Sequence, residues 1–353
     1  MPSHSSPNPQ RTIQTSPSRP AASGQTFDPE VAGTGLGAKL QNAWWALRFL
    51  IRHGRPGGRV YRFGGGLGDH LLVSSVFREL KVRGIDGSWM LSDHPEVFED
   101  NPDIDCMAPD EWRAEKLCTH LGSLPITLSY GRWIGDSDRI EPPVKHIIAE
   151  ILERAGITGQ VDLRPYFHAA NTLPPAQHLK SRTICIQGTN TVASTPMGNK
   201  QWHADRFAEA GEHLTRDYDL VQLGLPGESD IPAARDVRGQ LPILQTAEIL
   251  AEARFFIGQV GFLMHLARAV GTRSIIIYGG REKAWQSGYP CNENLETSPE
   301  CSPCWRNNGC ENNRQCMEDI TSANLLEAVR RMEDRVTGPL ETESITLEPW
   351  TLR

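Results

Sequence analysis

The sequence predicts an α/β protein built from two doubly wound domains, each a parallel sheet covered by helices on both faces. Three observations support this fold class. Apolar runs of strand length alternate with amphipathic segments of helical spacing. The alternation stops at a proline-rich joint, residues 171–175, and then starts again. Glycine-rich turns follow the strand candidates, at the ends where ligands bind in open parallel sheets. We therefore expect the two domains to face each other across a cleft.

The first half, residues 34–172, begins with a helix and then alternates. Its predicted strands are 59–63, 88–91 and 126–130, and its predicted helices are 36–53, 69–81 and 142–155. The helix over 36–53 combines an apolar stripe with Lys39, Arg48 and Arg52. Two interpretations of this helix are open. Either it packs on its own domain, or it contacts a membrane surface or a sister subunit of a homo-oligomer.

The second half, residues 176–335, repeats the alternation. Its predicted strands are 183–187, 219–223, 255–257 and 274–278, and its predicted helices are 204–214, 246–253 and 263–270. Outside the two halves, residues 1–33 are rich in Ser, Pro, Gln and Thr, which predicts a disordered tail. Residues 336–353 are assigned to a C-terminal tail.

The composition indicates a globular protein rather than a nucleic-acid-binding or membrane-spanning one. The chain has 353 residues, 39% hydrophobic and 22% charged, with a formal net charge of -7. That acidic balance argues against a nucleic-acid partner, which requires a basic surface. No run approaches the roughly 18 apolar residues of a membrane span, and the N-terminus lacks the apolar core of a secretory signal. We expect a cytoplasmic protein, with peripheral attachment to the inner membrane if the first helix contacts lipid.

Residues 64–69, the run Gly-Gly-Gly-Leu-Gly-Asp, follow the first strand candidate directly. Gly66 and Gly68 allow the backbone to approach a ligand closely, and the helix start behind them offers N–H groups and a positive dipole end to an anion. Asp69 has two interpretations. An acid at a helix start is usually an N-terminal cap, whereas a carboxylate at the mouth of a cleft can act as a general base for a hydroxyl.

A polar segment follows the first strand of the second half. Thr189 and Thr191 lie directly after that strand, and Lys200 follows a few residues later. Hydroxyl groups and an ammonium group near a strand end suit a diphosphate. The alternative is a polar loop with a solvated lysine.

Two further segments of the second half carry candidate ligand-binding residues. Gly261 lies in a turn between a strand and an apolar helix, which is a second helix start suited to an anion. His265 lies on that helix, where a satisfied core histidine is the alternative to a ligand contact. Glu228 follows another strand and could hold a ribose diol, the alternative being an acid on a surface loop.

Four of the eight cysteines are clustered with the spacing Cys-x2-Cys-x5-Cys-x5-Cys. They are Cys301, Cys304, Cys310 and Cys316. The intervening residues are rich in Asn and Gly, which favours turns, and four thiolates on turns can enclose a tetrahedral metal ion. We therefore expect a structural metal, iron or zinc, and no organic cofactor; the alternative is four free cysteines in a flexible loop. Clustered thiols in a chain of this size also favour a reducing compartment.

The order of these segments resembles the heptosyltransferase family, glycosyltransferases that use ADP-heptose. The matched pieces are residues 66–72, 200–202, 258–267, 276–279 and 301–304. The resemblance implies two Rossmann-like domains arranged as in the GT-B fold, and an inverting sugar transfer without a catalytic metal. A second resemblance, to the heptosyltransferases that modify autotransporter adhesins, implies a cysteine finger that holds iron and assembly into large rings.

The resemblance also implies roles for individual residues. Asp69 matches the proposed general base, Lys200 the phosphate-binding lysine, Thr189 and Thr191 the neighbouring phosphate-binding hydroxyls, and Glu228 the ribose acid. The chain departs from the family at one point. Where the family commonly has an acid before the glycine turn, this chain has Gln-Val at positions 259 and 260.

The sequence therefore predicts an inverting glycosyltransferase that moves a sugar, most simply heptose from ADP-heptose, to a hydroxyl group. The expected partners are a nucleotide-sugar donor and a glycan or protein acceptor, such as a lipopolysaccharide core or a serine. The alternative is a nucleotide-sugar-binding or assembly protein with a degenerate catalytic site, which Val260 motivates.

Overall fold

The computed structural model describes residues 36–134, 138–168, 182–193, 196–232 and 234–349. The tail predicted over 1–33 and the proline-rich joint at 171–175 lie outside the described residues. The chain divides into two compact units, residues 1–43 and residues 44–353. The β-sheets formed by the described residues belong to the second unit.

The helices and strands of the described residues follow one another in the alternating order that the sequence predicts. The α-helices are α1 (Leu36–His53), α2 (Leu67–Val82), α3 (Trp112–His120), α4 (Ile147–Arg154), α5 (Ala204–Leu214), α6 (Ile243–Glu252), α7 (Phe262–Ala269), α8 (Ala284–Ser287), α9 (Gln315–Glu318) and α10 (Ser322–Arg335). The strands are β1 (Arg59–Phe63), β2 (Ser88–Leu91), β3 (Cys106–Ala108), β4 (Leu124–Leu128), β5 (Trp133–Ile134), β6 (Arg139–Ile140), β7 (Gly159–Asp162), β8 (Thr183–Ile186), β9 (Asp219–Gln222), β10 (Arg235–Asp236), β11 (Phe255–Gln259), β12 (Ser274–Gly279), β13 (Glu293–Glu296) and β14 (Ser344–Leu347).

The first sheet has four parallel strands in the order β3-β2-β1-β4. β1 lies inside the sheet, with Arg59 opposite Ser88 of β2 and Leu124 of β4. Val60, Tyr61 and Phe63 are buried, whereas Arg59 and Arg62 are partly exposed. Tyr61 contacts α2 on one face, where its ring meets Phe77 at 5.6 Å.

The second sheet has six parallel strands in the order β10-β9-β8-β11-β12-β13. The central strands β8, β11 and β12 are buried over almost their whole length. Because all the strands are parallel, their carboxyl ends lie at one edge of the sheet. The segments that follow β8, β9, β11 and β12 therefore come together, and each of them holds a predicted or newly found site residue.

The C-terminal segment returns to the first half of the chain. β14 pairs with β7 in antiparallel fashion, with Ile345 opposite Val161 and Leu347 opposite Gly159. The Leu347 side chain is buried in the same apolar cluster as residues of α2 and α4. Part of the predicted tail, 336–353, is thus a strand, while the domain limits 34–172 and 176–335 remain predictions.

The predicted α/β class with parallel sheets is confirmed. The deviations lie at helix ends, in the strand predicted over 126–130, which forms as Leu124–Leu128, and in short strands and helices that were not predicted. α2 begins at Leu67 rather than at residue 69, because Gly66 is its N-cap and Asp69 its third residue. α4 begins at Ile147 rather than at residue 142, after two prolines. The sequence analysis did not predict α3 or α10, which carry a high fraction of charged residues.

α1 has the bounds that its periodicity predicts. Phe49 is buried and its ring lies 6.3 Å from that of Trp89 in the first sheet. On another face, Trp44, Leu47 and Ile51 remain exposed. The helix therefore packs on its domain and also presents an apolar stripe to solvent. Among the residues that the structure describes, no helix has the length and apolarity needed to cross a membrane.

Candidate active site

The two halves of the compact unit meet where the N-terminal ends of α2 and α7 approach each other. A Cβ atom added at Gly68 would lie 3.4 Å from the Cα atom of Phe262 and 3.6 Å from a ring carbon of His265. α2 follows β1 and α7 follows β11, so this approach brings the carboxyl ends of the two sheets together. Two positive helix ends at one place form a site suited to an anion.

Asp69 lies at this meeting point and makes two hydrogen bonds. Its Oδ2 atom accepts the backbone N–H of Gly66 at 3.0 Å, which closes the first turn of α2. Its Oδ1 atom accepts the hydroxyl of Tyr130 at 2.7 Å. The predicted capping role is therefore present. A Cβ atom at Gly65 would lie 2.5 Å from Oδ2, so the glycine run is needed to admit this carboxylate.

The electrostatic surroundings of Asp69 favour proton uptake. Burial raises the pKa of the carboxyl, while the bonds from Tyr130 and Gly66 and the charge of Lys200 act in the opposite direction. Burial wins, so the carboxylate binds a proton more readily than an exposed aspartate. A raised pKa is the property required of a general base for a hydroxyl.

Lys200 comes from the second half, and its charge acts on Asp69 of the first half. It ends a short 3-10 turn, Gly198–Lys200, and its Nζ atom lies 2.8 Å from the Oε1 atom of Glu282. Burial lowers the pKa of Lys200, and the negative charges of Glu282 and Asp69 counteract this. The lysine is thus paired with a carboxylate rather than solvated.

Glu282 is a site residue that the sequence analysis did not identify. It follows β12 and its side chain is only 3% exposed. Arg281 and Ser287 donate to its oxygens at 2.8 Å and 2.6 Å. Burial alone would raise its pKa, but Lys200 and Arg281 outweigh burial and lower the pKa to about 2. Its position just after a parallel strand, beyond two glycines, was a signal that could have found it.

The threonines of the β8 segment differ in their environment. Thr189 is buried, and its hydroxyl donates to Ser229 Oγ at 3.2 Å and accepts the Ser229 N–H at 2.9 Å. Thr191 is exposed in the following turn. Between them, the Asn190 amide nitrogen lies 3.5 Å from where a Cβ atom of Gly261 would be. The β8 segment therefore lies against the start of α7.

His265 on α7 is buried, and its Nδ1 atom lies 2.6 Å from the Tyr289 hydroxyl. Burial, together with the charge of Lys200, lowers its pKa to about 3. The imidazole is therefore neutral at pH 7. Its burial and its hydrogen bond with Tyr289 are those of a core histidine, which packs behind the start of α7.

Glu228 is buried rather than solvated, with 4% of its surface exposed. Gln187 Nε2 donates to its Oε1 atom at 3.3 Å. A Cβ atom at Gly224, where φ is +131°, would lie 2.1 Å from its Oε2 atom, so only glycine fits beside this side chain. Burial raises its pKa to about 7, against the bond from Gln187.

Gln259 and Val260 occupy the positions where the resemblance predicts an acid. Gln259 Nε2 donates to the Gly188 carbonyl at 2.7 Å, and its Oε1 atom accepts the Trp202 N–H. Val260 is buried in the apolar core. The glutamine thus joins β11 to the segments after β8, and no carboxylate comes from this turn.

The cysteine segment does not form a metal site in the structure. Across the described residues, no group of three or more His, Cys, Asp or Glu side chains is arranged to hold a metal ion. The four thiols are nevertheless neighbours: burial raises the pKa of Cys316, and the other three cysteines add to that rise. The N–H of Arg314 donates to Cys310 Sγ at 3.2 Å. The predicted metal knuckle is therefore not shown.

The same segment braces the turn that carries Lys200. Asn199 Nδ2 donates to the carbonyls of Arg306 and Gly309 at 3.2 and 3.1 Å. Arg314 donates to the carbonyl of Gly198 at 3.1 Å. The position of Lys200 therefore depends on a loop that is far from it in sequence.

Comparison with known proteins identifies the second half. Residues 180–314 match the family model described as glycosyltransferase family 9 (heptosyltransferase). This part of the chain is similar to the heptosyltransferases. The recognition made from the sequence is thereby confirmed, and so is the assignment to the glycosyltransferases. No curated protein matches the chain.

Solved structures share the heptosyltransferase fold. The bacterial iron-containing dodecameric glycosyltransferase TibC from enterotoxigenic E. coli H10407 superposes with a TM-score of 0.62 at 18% identity, covering 80% of this chain and 78% of that one. The ADP-heptose lipopolysaccharide heptosyltransferase II of E. coli gives 0.54 at 13% identity, covering 78% and 98%. E. coli heptosyltransferase WaaC gives 0.52 at 13% identity, covering 77% and 99%. The GT-B-like arrangement of the fold is thus supported.

The buried carboxyl group of Glu228 predicts a specific pH dependence of stability. Between about pH 4.5 and about pH 7 the unfolded chain releases a proton that the folded chain retains, so the free energy of unfolding falls as pH rises. We expect a loss on the order of 2 kcal/mol over this window in the wild type, and a smaller loss in Glu228→Gln. Urea titrations at both ends of the window measure it. Glu327→Gln, at an exposed acid of α10, serves as the control, and an unchanged slope in Glu228→Gln would contradict the assignment.

Proposed function

We propose that this protein is a heptosyltransferase, which transfers heptose from ADP-heptose to an acceptor hydroxyl with inversion at the anomeric carbon. The observation that supports the proposal is that Asp69 and Lys200, which come from different halves, interact electrostatically near the place where the starts of α2 and α7 approach each other. The TibC structure described as a complex with ADP-D-beta-D-heptose, at 17% identity and a TM-score of 0.60, shares this fold. We expect the same class of donor to bind here.

In the proposed reaction, Asp69 removes the proton from the acceptor hydroxyl as its oxygen attacks the anomeric carbon. The leaving diphosphate gains negative charge, and the ammonium group of Lys200 stabilises that charge. The start of α7 at Gly261 adds backbone N–H groups and the positive end of a helix dipole. Such contacts are most effective in a cleft partly stripped of water. A single displacement of this kind inverts the anomeric configuration.

The remaining predicted residues are assigned to the donor. Gly66 and Gly68 allow close approach of the α2 turn, while Thr189 and Thr191 lie beside the proposed diphosphate. His265 supports the start of α7 from behind. Glu228 is placed to receive the ribose, and its neutral form at moderately acidic pH would let it donate as well as accept hydrogen bonds.

The acceptor is proposed as a hydroxyl of a lipopolysaccharide core sugar or of a protein. The competing function is a nucleotide-sugar-binding or assembly protein with a degenerate catalytic site, which the absence of an acid at Gln259 and Val260 favours. The two functions differ in turnover. An enzyme releases ADP from ADP-heptose, whereas a binding protein retains the intact donor.

We expect Asp69→Asn to lower sugar transfer or donor hydrolysis by about 1,000-fold while leaving the ADP dissociation constant within about 3-fold of the wild type. The amide cannot accept the proton, but it preserves the shape of the site. Release of ADP from a panel of nucleotide sugars measures turnover, and calorimetry measures binding.

Lys200→Met is the variant to compare with Asp69→Asn, because it should weaken ADP binding as well as turnover. Equal turnover by Asp69→Asn would exclude Asp69 as the base. Tight binding of every donor without ADP release by the wild type would favour the binding protein instead.

We also propose that the cysteine segment holds one structural metal ion, iron or zinc. Thiolates are ligands that both ions accept, and the charges of Cys301, Cys304 and Cys310 act on Cys316, which indicates that the four thiols lie near one another. Cys301, Cys304, Cys310 and Cys316 would be the ligands. The fold shared with the iron-containing glycosyltransferase TibC supports iron. A bound ion would stiffen the loop that braces the Lys200 turn.

We expect purified protein to contain about one metal ion per chain and Cys304→Ser to lose it. Because the loop supports Lys200, the same variant should bind ADP about 10-fold more weakly. Elemental analysis and calorimetry give the two values. Cys106→Ser, at a thiol of the first sheet, is the control. Wild-type protein without metal would contradict the proposal.

The exposed stripe of α1 is proposed as the surface that contacts an anionic membrane. Trp44, Leu47 and Ile51 are exposed, and Arg48 and Arg52 lie beside them on a helix without acidic residues. Apolar and cationic side chains together favour an anionic lipid surface.

We expect the protein to sediment with anionic but not neutral vesicles, and Trp44→Ser/Ile51→Ser to abolish this. If the wild type binds no vesicles and the double variant loses self-association, the stripe is instead a contact between subunits of a homo-oligomer.

A further inference from the structure

Glu282 is buried beside the proposed diphosphate-binding lysine and has no place in the reaction proposed above. Its Oε1 atom lies 2.8 Å from Lys200 Nζ and accepts Arg281 Nη1 at 2.8 Å, while its Oε2 atom accepts Ser287 Oγ at 2.6 Å. Both carboxylate oxygens are therefore occupied by protein donors. With 3% exposure, the side chain has little room for direct contact with a sugar.

Glu282 provides a negative charge near the turn after β11, which has none of its own. The turn after β11 carries Gln259 and Val260, and neither provides a negative charge. Glu282 enters the same region from the neighbouring strand β12, which pairs with β11 in parallel. A carboxylate thus reaches Lys200 from the next strand of the sheet.

We propose that Glu282 is a positioning residue that holds Lys200 charged and directed toward the diphosphate of the donor. Glu282 acts only through Lys200 and does not touch the reacting atoms. This inference rests on the proposed function in one respect, namely that Lys200 binds a diphosphate.

The physical reason is the cost of a buried ammonium group. An amine without a counterion in a buried site gives up its proton, and a neutral amine cannot stabilise a diphosphate. The carboxylate of Glu282 offsets that cost before the donor arrives. Arg281 does not depend on Glu282 alone, because it also donates to the Arg306 carbonyl at 3.0 Å and to Asn307 at 2.8 Å.

The groups that face Lys200 come from three elements. Asp69 belongs to α2, Arg281 and Glu282 follow β12, and His265 belongs to α7. His265 is neutral across the range in which enzymes are assayed, since its pKa is about 3. Removing the Glu282 charge leaves Asp69 as the acid near Lys200 and Arg281 as an opposing cation. Lys200 should then lose its proton at a lower pH.

The test is the pH dependence of ADP binding, measured by calorimetry on the full chain for wild type, Glu282→Gln, Glu282→Asp and Lys200→Met/Glu282→Gln. The probe is ADP itself. The dissociation constant of each variant for ADP is compared with that of the wild type at the same pH. We expect Glu282→Gln to bind within about 3-fold of the wild type near pH 6 and at least about 10-fold more weakly near pH 8.5. Glu282→Asp should restore most of the binding near pH 8.5.

The double variant should bind weakly at every pH, without the pH-dependent change of Glu282→Gln. A merely structural role for Glu282 would weaken binding equally at both pH values, and that result would overturn the inference. Tighter binding by Glu282→Gln at every pH would overturn it too, because the pair would then be inhibitory. Absence of ADP binding by the wild type would instead count against the proposed function, so the two failures are distinguishable.

Discussion

The close approach of the N-terminal ends of α2 and α7 is the constraint on which the site depends. Each end carries unpaired N–H groups and a partial positive charge, and Lys200 and Arg281 add two full positive charges nearby. Such an arrangement needs negative charge to be stable. Asp69 supplies some of it by closing the first turn of α2. Glu282 supplies more, and the proposed diphosphate would supply the rest.

The same constraint explains why the site residues are buried and mutually bonded. Asp69 is held by Tyr130, Lys200 by Glu282, and Glu228 by Gln187. Fixed polar groups in a site of low polarity need little rearrangement as charge moves during a reaction. The cysteine segment also helps to fix the site, because its backbone carbonyls accept hydrogen bonds from the turn that ends at Lys200.

Much of the fold could be predicted from the sequence because buried parallel strands are short apolar runs between amphipathic helices. The bounds of α1 and β1 follow directly from that pattern. α3 and α10 were missed because charged side chains separate the apolar residues that these helices bury, among them Ala114 and Cys118 of α3 and Leu325 and Met332 of α10. Packing of those residues, rather than local propensity, stabilises both helices. The pairing of β14 with β7 joins segments far apart in the chain, and no local signal reports it.

The candidate site was predictable to a similar degree. Asp69 and Lys200 follow strand ends, and the structure brings them near enough for their charges to interact, while their roles remain predictions. Glu282 was missed because its importance comes from a neighbour 82 positions away in sequence rather than from its own surroundings. Glu228 showed the opposite difficulty. Its loop sequence suggested a surface acid, and only the glycine at position 224, which admits its carboxylate, indicates burial.

The antiparallel pair formed by β7 and β14 has a consequence for how the protein is made. Ser344 bonds to Asp162 across a separation of 182 residues, so the ribosome must produce the whole second sheet before β7 acquires this neighbour. Until then β7 leaves an open edge, which is a place where nascent chains can associate wrongly. Translation speed and chaperone access over this interval should therefore govern the yield of correctly folded protein.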